Sequence, residues 1–148
     1  MRERFTNELK AAMKAGDKRR VATIRMITAA LKDKDIEARG QSKAVGDDDI
    51  LALLQKLVKS RQESQEIYQK AGRAELAQQE REEIEIIRGF LPQPLSPDAV
   101  DRAIADAIAE TGAASVKDMG KVIGVLKSKH AGRMDFAAAS ALVKAKLG

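Results

Sequence analysis

Apolar residues recur along this chain at three- and four-residue intervals, in runs punctuated by glycine or proline, and each run predicts an amphipathic helix. The first covers Arg2–Ala15, with Phe5, Leu9, Ala12 and Met13 on one face, and Gly16 ends it. Asp17 is placed to cap the second, whose stripe of Val21, Ile24, Ile27 and Leu31 continues to the charged stretch before Gly40. The opposite side of that helix is basic, with Lys18, Arg19 and Arg25. Residues 41–46 form a loop in this reading. The run Asp47, Asp48, Asp49 then sets capping oxygens and negative charge at the positive end of a third helix, through Ile50, Leu51, Leu54, Leu57 and Val58 toward Tyr68 and a stop at Gly72.

A fourth helix follows from Arg73, with Leu76, Ile84, Ile87 and Phe90 apolar and Glu80, Glu82, Glu83 and Glu85 expected on a solvated face. All three prolines fall at Pro92, Pro94 and Pro97, where each removes a backbone donor and restricts its predecessor, so helix cannot continue through them. The expected boundary lies here, between an N-terminal helical module of about four helices (residues 1–92) and a small three-helix tail domain (residues 93–148). In the tail, Ser96 caps a helix with Pro97 at its first position and Val100, Ile104 and Ile108 as its stripe, ending at Gly112. Two more helices start near Ser115 and Asp135, giving an all-α fold.

Composition narrows the chemistry. The 148 residues contain no cysteine, which excludes disulfides, thiolate metal sites and thiol nucleophiles and accords with a reducing, cytoplasmic setting. No run approaches the roughly eighteen apolar residues of a membrane span, so no membrane association is expected. Aromatics are 3% of residues and Trp is absent, so an aliphatic core is expected and stacking platforms for unpaired bases are lacking. A net charge of +5 favours polyanionic partners, although 22 acidic residues set it apart from a histone-like binder.

Several catalytic and metal-binding readings fail on spacing. The three consecutive Asp residues point in different directions from a helix start, and no EF-hand glycine and distal Glu follow. The Glu-rich helix offers no cleft to raise one carboxyl for acid–base work. Gly120-Lys121 lacks the first glycine, the Ser or Thr and the preceding strand of a phosphate loop. His130 is the only histidine, which rules out a multi-histidine metal site, and no Ser or Cys nucleophile partners it. The expectation is therefore no catalytic residue, no metal and no cofactor.

The clearest pattern lies after Ser115, which with Asp118 resembles a capping box. At 100° per residue, Val116, Met119, Ile123 and Leu126 cluster on one side, with Lys117, Lys121, Gly124 and Ser128 opposite. Small residues let a bulky partner approach the helix, and lysines supply charge for phosphates, so this stripe suits a nucleic-acid backbone. Lys127, Lys129, His130 and Arg133 extend the positive potential. The competing reading is that Gly120 and Gly124 serve close helix packing while the lysines only solvate the surface.

The chain resembles the YqeY family, bacterial relatives of the C-terminal region of GatB, the B subunit of the glutamine-dependent tRNA amidotransferase. In the first module the likeness rests on Asp17 with Arg20 and Ile24-Arg25, on Lys56, Lys59 and Arg61, and on Tyr68, Ala71-Gly72-Arg73, Leu76, Glu80, Glu83 and Phe90-Leu91-Pro92. Phe90 stands where the family usually has Tyr. In the tail it rests on the run from Val116 to Ile123, then Gly132, Val143 and Leu147, with Ile123 where Met is more usual. The resemblance implies a helical module followed by a three-helix tail, and a carbon–nitrogen ligase label with glutamine as amido-nitrogen donor. It also implies tRNA as partner, together with amidotransferase or aminoacyl-tRNA synthetase subunits. That reaction needs an amidase nucleophile and a nucleotide–metal site, and the sequence displays neither. The function expected is a tRNA-binding module, non-catalytic on its own, with Lys117, Lys121, Lys127, Lys129 and Arg133 on backbone phosphates and Lys56, Lys59 and Arg61 adding contacts. Its rivals are an accessory component of an amidotransferase and a helical protein–protein adaptor.

Overall fold

The computed structural model describes residues 1–148 and is built of seven α-helices and one 3-10 turn, with no strand. The helices gather into two compact units, Met1–Leu91 and Pro92–Gly148. No helix is long and apolar enough to cross a membrane.

The first unit holds α1 (Arg2–Ala15), α2 (Lys18–Gly40), α3 (Asp47–Lys70) and α4 (Ala74–Arg88). Local chemistry sets their ends. Gly16 adopts a left-handed φ of 69°, which closes α1, and the Asp17 carboxylate accepts the Arg20 N–H at 3.1 Å to open α2. The Asp run does act at a helix start: Asp49 accepts the Gly46 N–H at 3.0 Å. Ile24, Ile27, Leu54 and Ile87 fill the core, and the Phe5 and Phe90 rings meet edge to face with centroids 5.0 Å apart.

Two expectations need correction in this unit. Met13 is 54% exposed, not buried, because it lies about 80° round α1 from Phe5, at the margin of the apolar stripe. The acidic run is not a wholly solvated face either. Glu80, Glu82 and Glu83 are half-buried, and only Glu85 is fully exposed. Glu83 ties three helices together, accepting from Arg61 of α3 at 3.2 Å and lying 3.9 Å from Arg19 of α2. Burial, reinforced by the neighbouring Glu83 charge, holds the Glu80 carboxyl above its usual range.

The second unit holds α5 (Pro97–Thr111), a 3-10 turn (Val116–Asp118), α6 (Met119–His130) and α7 (Phe136–Leu147). Ser96 caps α5 by accepting the Ala99 N–H at 3.2 Å, and Asp135 caps α7 by accepting the N–H groups of Ala137 and Ala138 at 2.9 and 3.3 Å. Ala103, Ile104, Ala107, Val122, Leu126 and Val143 are buried together. Gly132 is buried at a φ of 75°, which a side-chain-bearing residue adopts only with strain, so the α6–α7 turn requires glycine there.

Candidate nucleic-acid interface

The start of α6 is fastened by one carboxylate. Asp118 accepts the N–H groups of Ala114 at 3.0 Å and Ser115 at 3.4 Å, and those bonds hold its pKa below the usual carboxylate range, with the Lys121 charge adding to the effect. The turn this pins is 3-10 and not α-helical, which moves the phase of everything before Met119. Val116 is 41% exposed, and the buried side of α6 centres on Val122 and Leu126, with Met119 and Ile123 half-buried beside them. The inward face thus differs from the one that a single helical period counted from Val116 predicts.

The outward face follows from the same phase. Gly120 and Gly124 are exposed along its middle, and at 100° per residue Lys121 and Lys127 lie about 60° to either side of Gly124. Lys117 stands on the preceding turn, also exposed. None of the three lysines carries a salt bridge. A methyl group built on either glycine would meet no atom of the chain within 4 Å. The packing explanation for these glycines therefore fails within the chain, since no neighbouring element rests on them. The result is a shallow trough floored by glycine backbone and edged by unpaired cations.

The other residues singled out by sequence take different positions. Lys129 is exposed but bound to Glu110 of α5. Arg133 donates its Nε–H to the Gln93 carbonyl at 3.0 Å while its own carbonyl accepts the Leu95 N–H at 2.8 Å, so it stitches the proline-rich entry segment of the unit to the α6–α7 turn. His130 is half-buried, with its Nδ1 sealed from solvent and without a hydrogen-bond partner. In the first unit, Lys56 and Lys59 are exposed on α3 and free of salt bridges. Arg61 is committed internally, to Glu83 and to the Leu57 carbonyl at 3.2 Å. Sequence reasoning missed the role of Glu83, whose partners lie on two other helices and leave no trace in local spacing.

The sequence profile of the family described as Yqey-like protein matches residues 2–147, and the chain belongs to that family. It is also similar to a protein of the yeast Lachancea thermotolerans named "Altered inheritance of mitochondria protein 41, mitochondrial". The two are 35% identical over 105 residues, which is 70% of this chain and 55% of that relative. The chain therefore spans about half the length of the curated relative that it matches, and the likeness reaches beyond bacteria.

Proposed function

We propose that this YqeY-family protein is a tRNA-binding helical protein, non-catalytic on its own, in which Lys117, Lys121 and Lys127 contact backbone phosphates across the glycine trough of α6. The supporting observation is the open glycine at the centre of a helix. Gly124 weakens α6 by about 1 kcal/mol relative to alanine, and nothing in the chain occupies the space it leaves. Close approach by an external partner gives that cost a function, and the flanking unpaired lysines give the partner a negative charge. With so few aromatics, recognition goes to phosphates and helical shape more than to base edges.

Gly124→Leu separates the two roles a glycine can have. Leucine has open space in the free protein and a better helix propensity, so unfolding of the second unit should become harder by roughly 0.8 kcal/mol. Binding of tRNA should nevertheless weaken at least about tenfold, the equivalent of about 1.4 kcal/mol. Hydrogen exchange on the α6 amides and filter binding measure the two effects. A stabilised variant that binds tRNA as tightly as the wild type removes the trough from the interface.

A second reading is an accessory component of a glutamine-dependent amidotransferase, lending tRNA contacts to catalytic subunits on other chains. The likeness of the segment from Val116 to Ile123 to the GatB tail favours it. Tagged protein that retains tRNA but recovers neither amidase nor synthetase subunits above background argues against this reading and leaves the first in place. The cytoplasm is the setting we propose.

A further inference from the structure

The outward face of α2 carries a second line of cations that the trough on α6 does not account for. Lys18, Arg25, Lys32 and Arg39 are all exposed and recur every seven residues, a spacing that drifts only about 20° per repeat around an α-helix. From Lys18 to Arg39 the line runs about 32 Å at 1.5 Å per residue. Between the cations lie Ala22, Ala29 and Ile36, also exposed. At the N-terminal end, Lys18 and Arg25 border an open depression of about 410 Å³ that also includes Met13, Gly16, Val21 and Ala22.

Four other arginines of the same unit are instead committed to carboxylates. Arg2 is paired with Asp35, Arg20 with Glu8, Arg19 with Glu82 and Glu83, and Arg61 with Glu83. None of the four cations on the line has a salt bridge; Asp33 and Glu37 lie off to one flank, and Asp35, one turn before Arg39 on the other, is held by Arg2 and also feels the Arg39 charge. We propose that this face of α2 is a phosphate-binding rail and forms a second contact with RNA, resting on the tRNA-binding reading above. A membrane surface would need Trp, Phe or Leu beside the cations, and the large apolar side chains this face exposes, Met13 beside the depression and Ile36 toward the other end of the line, stand singly and do not form the clustered anchor of a protein partner. Alanines separate most of this line, so close approach with charge pairing is what it offers, and a polyanionic backbone uses both.

The test replaces the four cations together, Lys18→Gln, Arg25→Gln, Lys32→Gln and Arg39→Gln, in the full chain, with Lys117→Gln, Lys121→Gln, Lys127→Gln as a parallel variant. Because the four residues are exposed and form no salt bridge, the circular dichroism melt should match the wild type. Each phosphate left without its cation flattens the slope of log K against log salt by about 0.7 to 0.9, so four should flatten it by roughly 3 for bulk tRNA. An unchanged slope in the α2 variant overturns the rail. If the α6 variant then still loses slope, the reading of the α6 trough stands without it. A flatter slope in the α2 variant alone keeps the rail and sinks the trough. Parallel titrations use phosphatidylserine-containing vesicles and polyglutamate. A rail-dependent response to either that equals or exceeds the response to tRNA also overturns the proposal, in favour of a membrane or an acidic protein.

Discussion

Replacing Lys117, Lys121 and Lys127 together with alanine is expected to weaken tRNA binding by roughly 100- to 500-fold at 0.1 M salt and to flatten the salt dependence by about 2.1 to 2.7 log units per log unit. The magnitude follows from counterion release. Each lysine that neutralises a phosphate frees about 0.7 to 0.9 of a condensed cation, and three such pairings multiply in the equilibrium constant. The effect should be large because none of the three lysines forms a salt bridge in the free protein, so no ion pair must break before a phosphate is met. Lys129→Ala provides the contrast. That side chain is already held by Glu110, and its removal should move the slope by well under the increment of a single phosphate. Electrophoretic or filter-binding titrations at four or more salt concentrations distinguish these outcomes. Equal slopes for the triple variant and the wild type remove this face from the interface.

The second large effect concerns stability. Phe90→Ala should destabilise the first unit by about 3 to 5 kcal/mol, through the forfeited transfer energy of the ring and the cavity left behind. Phe90 is almost fully buried and packs edge to face on Phe5, while the guanidinium carbons of Arg4 and Arg20 lie 5.0 and 5.9 Å from its ring centroid. It therefore joins the start of the chain, the N-terminal turn of α2 and the end of α4. Tyr68 is the only tyrosine in a chain without tryptophan, so intrinsic fluorescence reports on the first unit through α3. Thermal unfolding followed at Tyr68 should shift down by at least about 12 °C, at 4 °C or more per kcal/mol for a unit of this size. A shift of only a degree or two would show that the Phe5–Phe90 pair is peripheral to the core.

Much of the fold is legible in the residues because helix ends are local events. Asp17, Ser96 and Asp135 lie next to the N–H groups they satisfy, and Gly16 and Gly112 end helices through their own backbone angles. The apolar stripes of α2 and α5 likewise follow a 3.6-residue period, with Ile24, Ile27 and Ile104 buried as expected. The period fails where its assumption fails. Val116 belongs to a 3-10 turn, so a face counted from it at 100° per residue rotates away from Val122, the residue that is buried.

The candidate interface is legible in its composition but not in its selection. The sequence brings a group of basic residues around α6 and α3 into view, but which of them stay unpaired depends on groups far away in the chain. Glu110 lies 19 residues from Lys129, Gln93 lies 40 from Arg133, and Glu83 lies 22 from Arg61. No local pattern encodes those partners. Only the fold separates the free cations Lys117, Lys121 and Lys127 from those already used to hold helices together. The same sorting brings out the rail on α2, where the basic side visible in the sequence divides into the paired Arg19 and the unpaired Lys18 and Arg25.

The most direct measurement is a titration of the purified wild-type protein with tRNA at salt concentrations from about 50 to about 200 mM, with duplex DNA as a competitor. Saturable binding that weakens at least about tenfold over that range, as three phosphate contacts require, is the predicted result. No binding of tRNA even at the lowest salt, or binding indifferent to salt, would contradict the account.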